Sequence, residues 1–274
     1  MPLLNETAIR NNINSLELNH QLRFHIFDTI DSTNVFLKNL PNDSSKNNII
    51  DICCSEYQTN GKGRFGRAWT SAAYENICLS IRYKINLAYS KLSAISLVTG
   101  LAIIKSLSEL NIKDLKIKWP NDVYWQNQKL AGILIELLHS NKQDTAPQPL
   151  NYHHTLIFGI GINVNSDSKN QSCINIDKPW CSLFGISKDH LDRNIIIGKI
   201  INNLHNYILL FRKDGFNIFT DEWKTVDYLH GKNISIIQQS TINSGKYIGV
   251  SESGELILQN ELGETIRITS GEAS

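Results

Sequence analysis

"GKGRFGRAW", residues 61–69, interleaves three glycines (Gly61, Gly63, Gly66) with three cations (Lys62, Arg64, Arg67) and closes on Trp69. Its spacing matches the dinucleotide fingerprint, which follows a strand, opens a helix and is answered about 20 residues later by an acid for the ribose. Here a strand follows instead: "NICLSIRYKI" (76–85) alternates Ile77, Leu79, Ile81, Tyr83 and Ile85, and the residues near that spacing are Ile81 and Arg82. A kinase glycine loop shares the spacing, but no V-A-I-K, H-R-D or D-F-G follows, and the chain has no Walker A lysine motif. What remains is a strand, loop, strand element whose glycines let backbone N–H groups approach an anion and whose cations neutralise it. A phosphate-bearing ligand fits; the competing reading is a solvated basic hairpin.

Further strands are expected at 49–57, 115–119, 130–138 and 155–164, with a polar, Pro-containing connection at 139–154. Apolar residues at helical intervals predict long helices at 90–111 and 193–215, the second stopped by Gly215 after a basic last turn. Beyond Gly231 short β-rich runs are separated by Ser-Gly and Leu-Gly turns, the pattern of a small barrel. The expectation is an α/β chain with a mixed sheet, divided into residues 1–229 and a small β domain at 230–274.

Formal charge is +1, which gives no chain-wide reason to expect a nucleic-acid backbone as ligand. The five cysteines are odd in number and lack C-x-x-C spacing, as expected of reduced, buried thiols. Residues 1–20 show no secretory pattern, and the apolar-rich stretch 92–110 is broken by polar and charged residues. A soluble, cytoplasmic protein with no membrane partner is the expectation.

A second cluster, "KWPNDVYWQNQKLAGILIE" (118–136), sets Asp122 between Trp119 and Tyr124 after a Pro120–Asn121 turn. Pro-Asn-Asp alone is ordinary turn chemistry. Lys129 adds to it, because a cation opening an apolar strand that runs through Gly132 is placed to meet a carboxylate or phosphate. A third, "GIGINVN" (159–165), is a buried strand ending in Gly and Asn, by itself a packing and turn device.

Together "FDTIDSTN" (27–34), "GKGRFGRAW", "KWPND", "KLAGILIE" and "GIGINVN" occur in the order and approximate spacing of the biotin protein ligases, which the chain resembles over about residues 24–272. The resemblance implies a class II aminoacyl-tRNA synthetase-like catalytic domain with a mixed sheet and an SH3-like C-terminal barrel. It implies ATP-dependent biotinylation, through biotinyl-5'-AMP and with Mg²⁺, of a lysine on the biotin carboxyl carrier domain of acetyl-CoA carboxylase or another biotin-dependent carboxylase. By resemblance Ser32, Thr33 and Gln58 hold biotin's ureido head, with Gly61, Lys62 and a Trp69 wall in the same pocket. Arg64 and Arg67 hold the phosphate side and retain the adenylate. Lys129 bridges biotin's carboxylate and the α-phosphate, Asn121 and Asn163 lie on the nucleotide side, and Gly132 and Gly161 let the ligand approach the strands. Asp122 is the candidate base or orienting acceptor for the carrier lysine.

Some members carry an Arg where this chain has Phe65. Many bacterial members begin with a DNA-binding domain, whereas about 26 residues precede "FDTIDSTN" here, so a dedicated ligase without specific DNA binding is expected. In "CINIDKPWCSLFG" (173–185) Trp180 is the candidate adenine cover. Related bacterial ligases include dimers, and the sequence leaves monomer and homodimer open. A lipoate or octanoate ligase or transferase of the same architecture and a non-catalytic biotin-responsive regulator are the rival readings; the charged glycine loop opposes the first, and intact Arg64 and Lys129 the second.

Overall fold

The computed structural model describes residues 2–41, 49–87, 89–138, 153–167, 179–238 and 241–273. Before the first sheet lie two short helices, α1 (Glu6–Arg10) and α2 (Leu16–Gln21), capped by the Asn5 and Ser15 side chains. Strand β1 (Leu22–Ile30) leads into α3 (Thr33–Asn39), then β2 (Ile50–Gln58) and β3 (Ile77–Asn86). Helix α4 (Ile95–Ser108) is followed by β4 (Leu115–Lys118), β5 (Asp122–Trp125), β6 (Gln128–Leu138) and β7 (His153–Ile162). Helices α5 (Leu183–Ser187), α6 (Arg193–Asp214) and α7 (Thr220–Val226) precede the second sheet: β8 (Asn233–Gln238), β9 (Thr241–Val250), β10 (Leu256–Gln259), β11 (Thr265–Ile268) and β12 (Glu272–Ala273).

The first sheet has the order β1-β2-β3-β7-β6-β5-β4, with β1 and β2 parallel and the other pairs antiparallel. Helices α4 and α6 pack together, α6 against β3, while α3 lies against β2, β3 and β7. This explains a difference from the sequence pattern of β3. Ile77, Leu79, Ile81, Tyr83 and Ile85 enter the main core as the alternation predicts, but Cys78, Ser80 and Arg82 are buried too. Ser80 bonds to α3 side chains, and Arg82 donates to the Leu37 and Leu40 carbonyls at its C-terminal end. A strand covered on both faces loses the polar half of its alternation.

Two buried charge clusters fix the frame. Arg193 at the start of α6 donates to Glu56 at 2.5 Å, and the same carboxylate accepts from the Leu4 N–H at 2.6 Å, tying the N-terminal segment to β2 and α6. Asp51 on β2 receives Arg23, His25 and Arg82 from β1 and β3. Burial alone would raise its carboxyl; hydrogen bonds from those three neighbours outweigh burial and hold it below its ordinary value.

The second sheet has the order β11-β10-β9-β8-β12 and is antiparallel throughout. Its inward residues Ile234, Ile236, Tyr247, Leu256, Leu258 and Ile268 belong to the same apolar cluster as the first sheet. Polar ties add direction: Trp119 Nε1 donates to the Gly254 carbonyl (3.0 Å), and Tyr247 Oη donates to Asp227 (2.6 Å). The helix expected at 90–111 begins as a 3-10 turn and is α-helical from Ile95, and α6 ends where Gly215 takes φ 72°. The apolar span Lys91–Ser108, long enough by composition to cross a membrane, is mostly buried inside the fold. The connection at 139–152 and the part of the 173–185 stretch before Pro179, Cys173 included, lie outside the described residues.

Candidate active site

The register of the first sheet lays out the floor of a cleft. Lys118, Asp122, Gly132, Gly161, Cys78 and Ser55 are successive cross-strand partners on β4, β5, β6, β7, β3 and β2. Cross-strand partners share one face, so two glycines in the middle of this row leave a trough between a polar wall and a charged one. Trp69 fills part of it: a Cβ at Gly161 would stand 2.4 Å from Trp69 Cε2, and one at Gly132 would stand 3.1 Å from Trp69 Cζ3. The room those glycines leave is thus taken first by an aromatic wall. Trp69 Nε1 is buried and has no hydrogen-bond partner among the described residues.

The glycine-rich loop closes over this floor as a tight hairpin. Gly63 N–H donates to the Arg67 carbonyl (2.7 Å), Trp69 N–H to the Gly61 carbonyl (2.9 Å), and Lys62 bridges Ala68. Arg64, Phe65 and Gly66 form one 3-10 turn, in which both Phe65 (φ 56°) and Gly66 (φ 74°) are left-handed. Phe65 is exposed, and the Arg64 guanidinium stacks on its ring at 4.7 Å. The whole cleft encloses about 150 Å³.

At the charged end, Lys129 Nζ lies 2.8 Å from Asp122 Oδ1 and 5.6 Å from the Trp69 ring centroid. Its backbone is held by residues 179–181, since Lys129 N–H donates to the Pro179 carbonyl and Cys181 N–H to the Lys129 carbonyl. Arg64 donates to Asn121 Oδ1 (3.0 Å) and to the Gly271 carbonyl (3.3 Å), while Asn121 Nδ2 donates to the Ile133 carbonyl (2.8 Å). Burial pulls the Arg64 guanidinium below its ordinary value, and Asp122 and Glu272 oppose that pull; a guanidinium is cationic at neutral pH. Arg67 is ion-paired with Glu272, whose hydrogen bond raises it. At the polar end, Gln58 Oε1 accepts from Thr33 N–H (2.8 Å) and Thr33 Oγ1 (3.0 Å).

Thirteen of the residues singled out from sequence therefore gather on one cleft or its loop: Ser32, Thr33, Gln58, Gly61, Lys62, Arg64, Arg67, Trp69, Asn121, Asp122, Lys129, Gly132 and Gly161. Asn163 and Trp180 do not line it. Asn163 is buried and donates to the Cys181 carbonyl (3.1 Å), and Trp180, 5% exposed, is bridged to the backbone of Lys129. Both support the strand that carries the lysine. Sequence reasoning missed Asn34, Cys78 and Lys118, which also line the cleft, and the β12 residue Glu272. Asn34 had a visible signal, since it completes "DSTN". Glu272 had only a Ser-Gly turn before it.

Known proteins resemble this chain in sequence and in fold. The model of the biotin/lipoate A/B protein ligase family matches residues 26–146. The bifunctional ligase/repressor BirA of Salmonella typhimurium is 31% identical over 238 residues, 86% of this chain and 69% of that protein, and BirA of Escherichia coli is 30% identical over the same shares. A biotin–[acetyl-CoA-carboxylase] ligase of Mycobacterium tuberculosis is 30% identical over 165 residues, 59% of this chain and 55% of that one. Among solved structures, the biotin protein ligase of Aquifex aeolicus in complex with biotin and ATP superposes with a TM-score of 0.73 at 27% identity, covering 92% of this chain and 97% of its own.

Proposed function

The chain belongs to the biotin protein ligases of the biotin/lipoate A/B protein ligase family, and we propose how its cleft carries out that reaction. The enzyme is an AMP-forming ligase that attaches biotin to a carrier protein at the expense of ATP. The observation that carries the residue roles is the pairing of Lys129 with Asp122 at the end of the glycine trough, beneath a loop of three cations.

A carboxylate is inert to amines and must become an acyl-adenylate. In the first step a biotin carboxylate oxygen attacks the α-phosphorus of ATP, the bond to the β-phosphate oxygen breaks, and pyrophosphate leaves. Both reactants are anions, so Lys129 draws them together while Arg64, Arg67 and Lys62 neutralise the phosphate side. This asks Lys129 to leave Asp122, an exchange of one anion for another. The buried Trp69 N–H gains an acceptor when the ligand fills the trough, as buried donors require.

In the second step the carrier lysine attacks the adenylate carbonyl, the amide bond forms and AMP departs. A lysine with pKa ~10.4 is neutral in about 1 molecule in 2,500 at pH 7. Asp122, released by Lys129, accepts from that incoming amine and takes its proton as the bond forms. The carrier is a biotin carboxyl carrier domain, with acetyl-CoA carboxylase favoured by the name of the Mycobacterium tuberculosis relative. Mg²⁺ enters as the counter-ion of the ATP phosphates. Among the described residues, α1 and α2 have five and six residues and bury Ile9 and Leu18 in the core rather than present a recognition helix, so no operator-reading role is assigned to them.

Biotin-dependent exchange of labelled pyrophosphate into ATP tests the first step. Exchange with biotin but not with lipoate or octanoate is expected; the reverse preference would overturn the reading.

A further inference from the structure

The polar end of the cleft continues outward from Thr33 and Gln58 to a carboxylate at the surface. Asn34, 4% exposed, donates from Nδ2 to Glu136 Oε2 on β6 at 2.8 Å, which turns its Oδ1 toward Ser80 Oγ at 2.5 Å. That oxygen can only accept, so the single proton of the Ser80 hydroxyl goes to Asn34. Ser80 Oγ also lies 2.7 Å from Thr33 Oγ1, and with its proton committed it accepts there. The Thr33 hydroxyl then donates to Ser80 Oγ, with Gln58 Oε1 a second acceptor at 3.0 Å, and keeps lone pairs for the cleft. Gln58 Oε1 is already engaged by the Thr33 N–H, so its amide nitrogen faces outward, toward Gly61.

One fixed point sets the links from Asn34 to Thr33. The Glu136 carboxylate only accepts, and from it the direction passes through Asn34 and Ser80 to Thr33. Lys38 Nζ stands 3.7 Å from its other oxygen. The backbone accommodates the relay: a Cβ at Gly159 would come within 2.4 Å of Asn34 Oδ1, so glycine at this point of β7 admits the amide.

We propose that Asn34 and Glu136 are positioning residues that keep Thr33 Oγ1 an acceptor at the cleft's head, beside the donor at Gln58 Nε2 that the Thr33 N–H orients. That pair fits a ligand with an N–H next to a C=O, such as the cyclic urea of biotin, and gives no such match to a purely aliphatic acyl chain. The inference rests on the ligase reading above and extends it to residues outside the motifs' assigned roles.

Reversing the fixed point is the test. Glu136→Lys replaces an acceptor by a donor, turns the Asn34 amide over and sends the Ser80 proton to Thr33. Adding Asn34→Asp restores an accept-only oxygen toward Ser80 while pairing with the new ammonium. In biotin-dependent pyrophosphate exchange, Glu136→Lys is expected to raise the KM for biotin about tenfold with kcat and the KM for ATP held, the scale of a disrupted buried hydrogen bond. The double variant is expected to return the KM to within about threefold of wild type. An unshifted KM in Glu136→Lys, or no recovery in the double variant, overturns the relay while an active wild type leaves the ligase reading standing. A wild type without biotin-dependent exchange removes the ligase reading and the relay with it.

Discussion

Arg67 of the glycine-rich loop is ion-paired with Glu272 of β12, 205 positions along the chain, so the last strand of the second sheet closes one side of the cleft. Half-exposed pairs of this kind contribute little to global stability. Glu272→Ala is therefore expected to cost less than about 1 kcal/mol in denaturant unfolding and to change adenylate retention by no more than about fivefold, the kinetic equivalent. Stopped-flow release of biotinyl-AMP would measure it. A loss of folding in this variant would mean that the strand's docking depends on the pair.

Lys129→Ala removes the cation that joins two anions and leaves the fold intact, because the residue is held by its backbone and its side chain is partly exposed. Pyrophosphate exchange should fall by about 10²–10³-fold, the scale for losing one preorganised charge at a reacting centre. Wild-type exchange in a folded variant would remove Lys129 from the mechanism.

Arg64→Ala frees Asn121 Oδ1 and the Gly271 carbonyl together, loosening the loop from both sheets. Adenylate should still form but dissociate on the order of tenfold faster or more, since contacts that close over a product act chiefly on its escape. Leaked biotinyl-AMP would label lysines of a bystander protein. Labelling confined to the carrier would show that Arg64 does not retain the product.

Asp51 carries the acid sensitivity of the frame. Its folded carboxyl lies below the ordinary 3.8, so its contribution is complete above that value and is lost as pH falls through it toward the folded pKa. Asp51→Asn should cost about 3 kcal/mol at pH 7, by stranding Arg82, and should flatten the fall in stability below about pH 4. Equal acid slopes for wild type and variant in urea unfolding would contradict this.

Much of the site was legible because it lies in local motifs. The alternation of Ile77 to Ile85, the Gly215 stop of α6 and the loop 61–69 are statements about neighbouring residues, and the fold keeps them. Strand β1 was hidden because Arg23 and His25 alternate with Phe24 and Ile26 only to meet Asp51, a partner on another strand. Strand β5 has four residues and starts at a turn motif, so it carries little strand signal of its own, and only the register with Gly132 shows that Asp122, the candidate base, faces the trough. Glu272 and Glu136 act over long separations in sequence, where neither spacing nor periodicity carries a signal.

The most direct measurement is the mass of an intact carrier. The protein is incubated with ATP, Mg²⁺, biotin and a biotin carboxyl carrier domain, and the carrier is weighed before and after. The account predicts a gain of one biotinyl group, dependent on ATP and absent when lipoate or octanoate replaces biotin. No gain with biotin on a carrier that another biotin ligase labels, or a gain with lipoate or octanoate in its place, would contradict it.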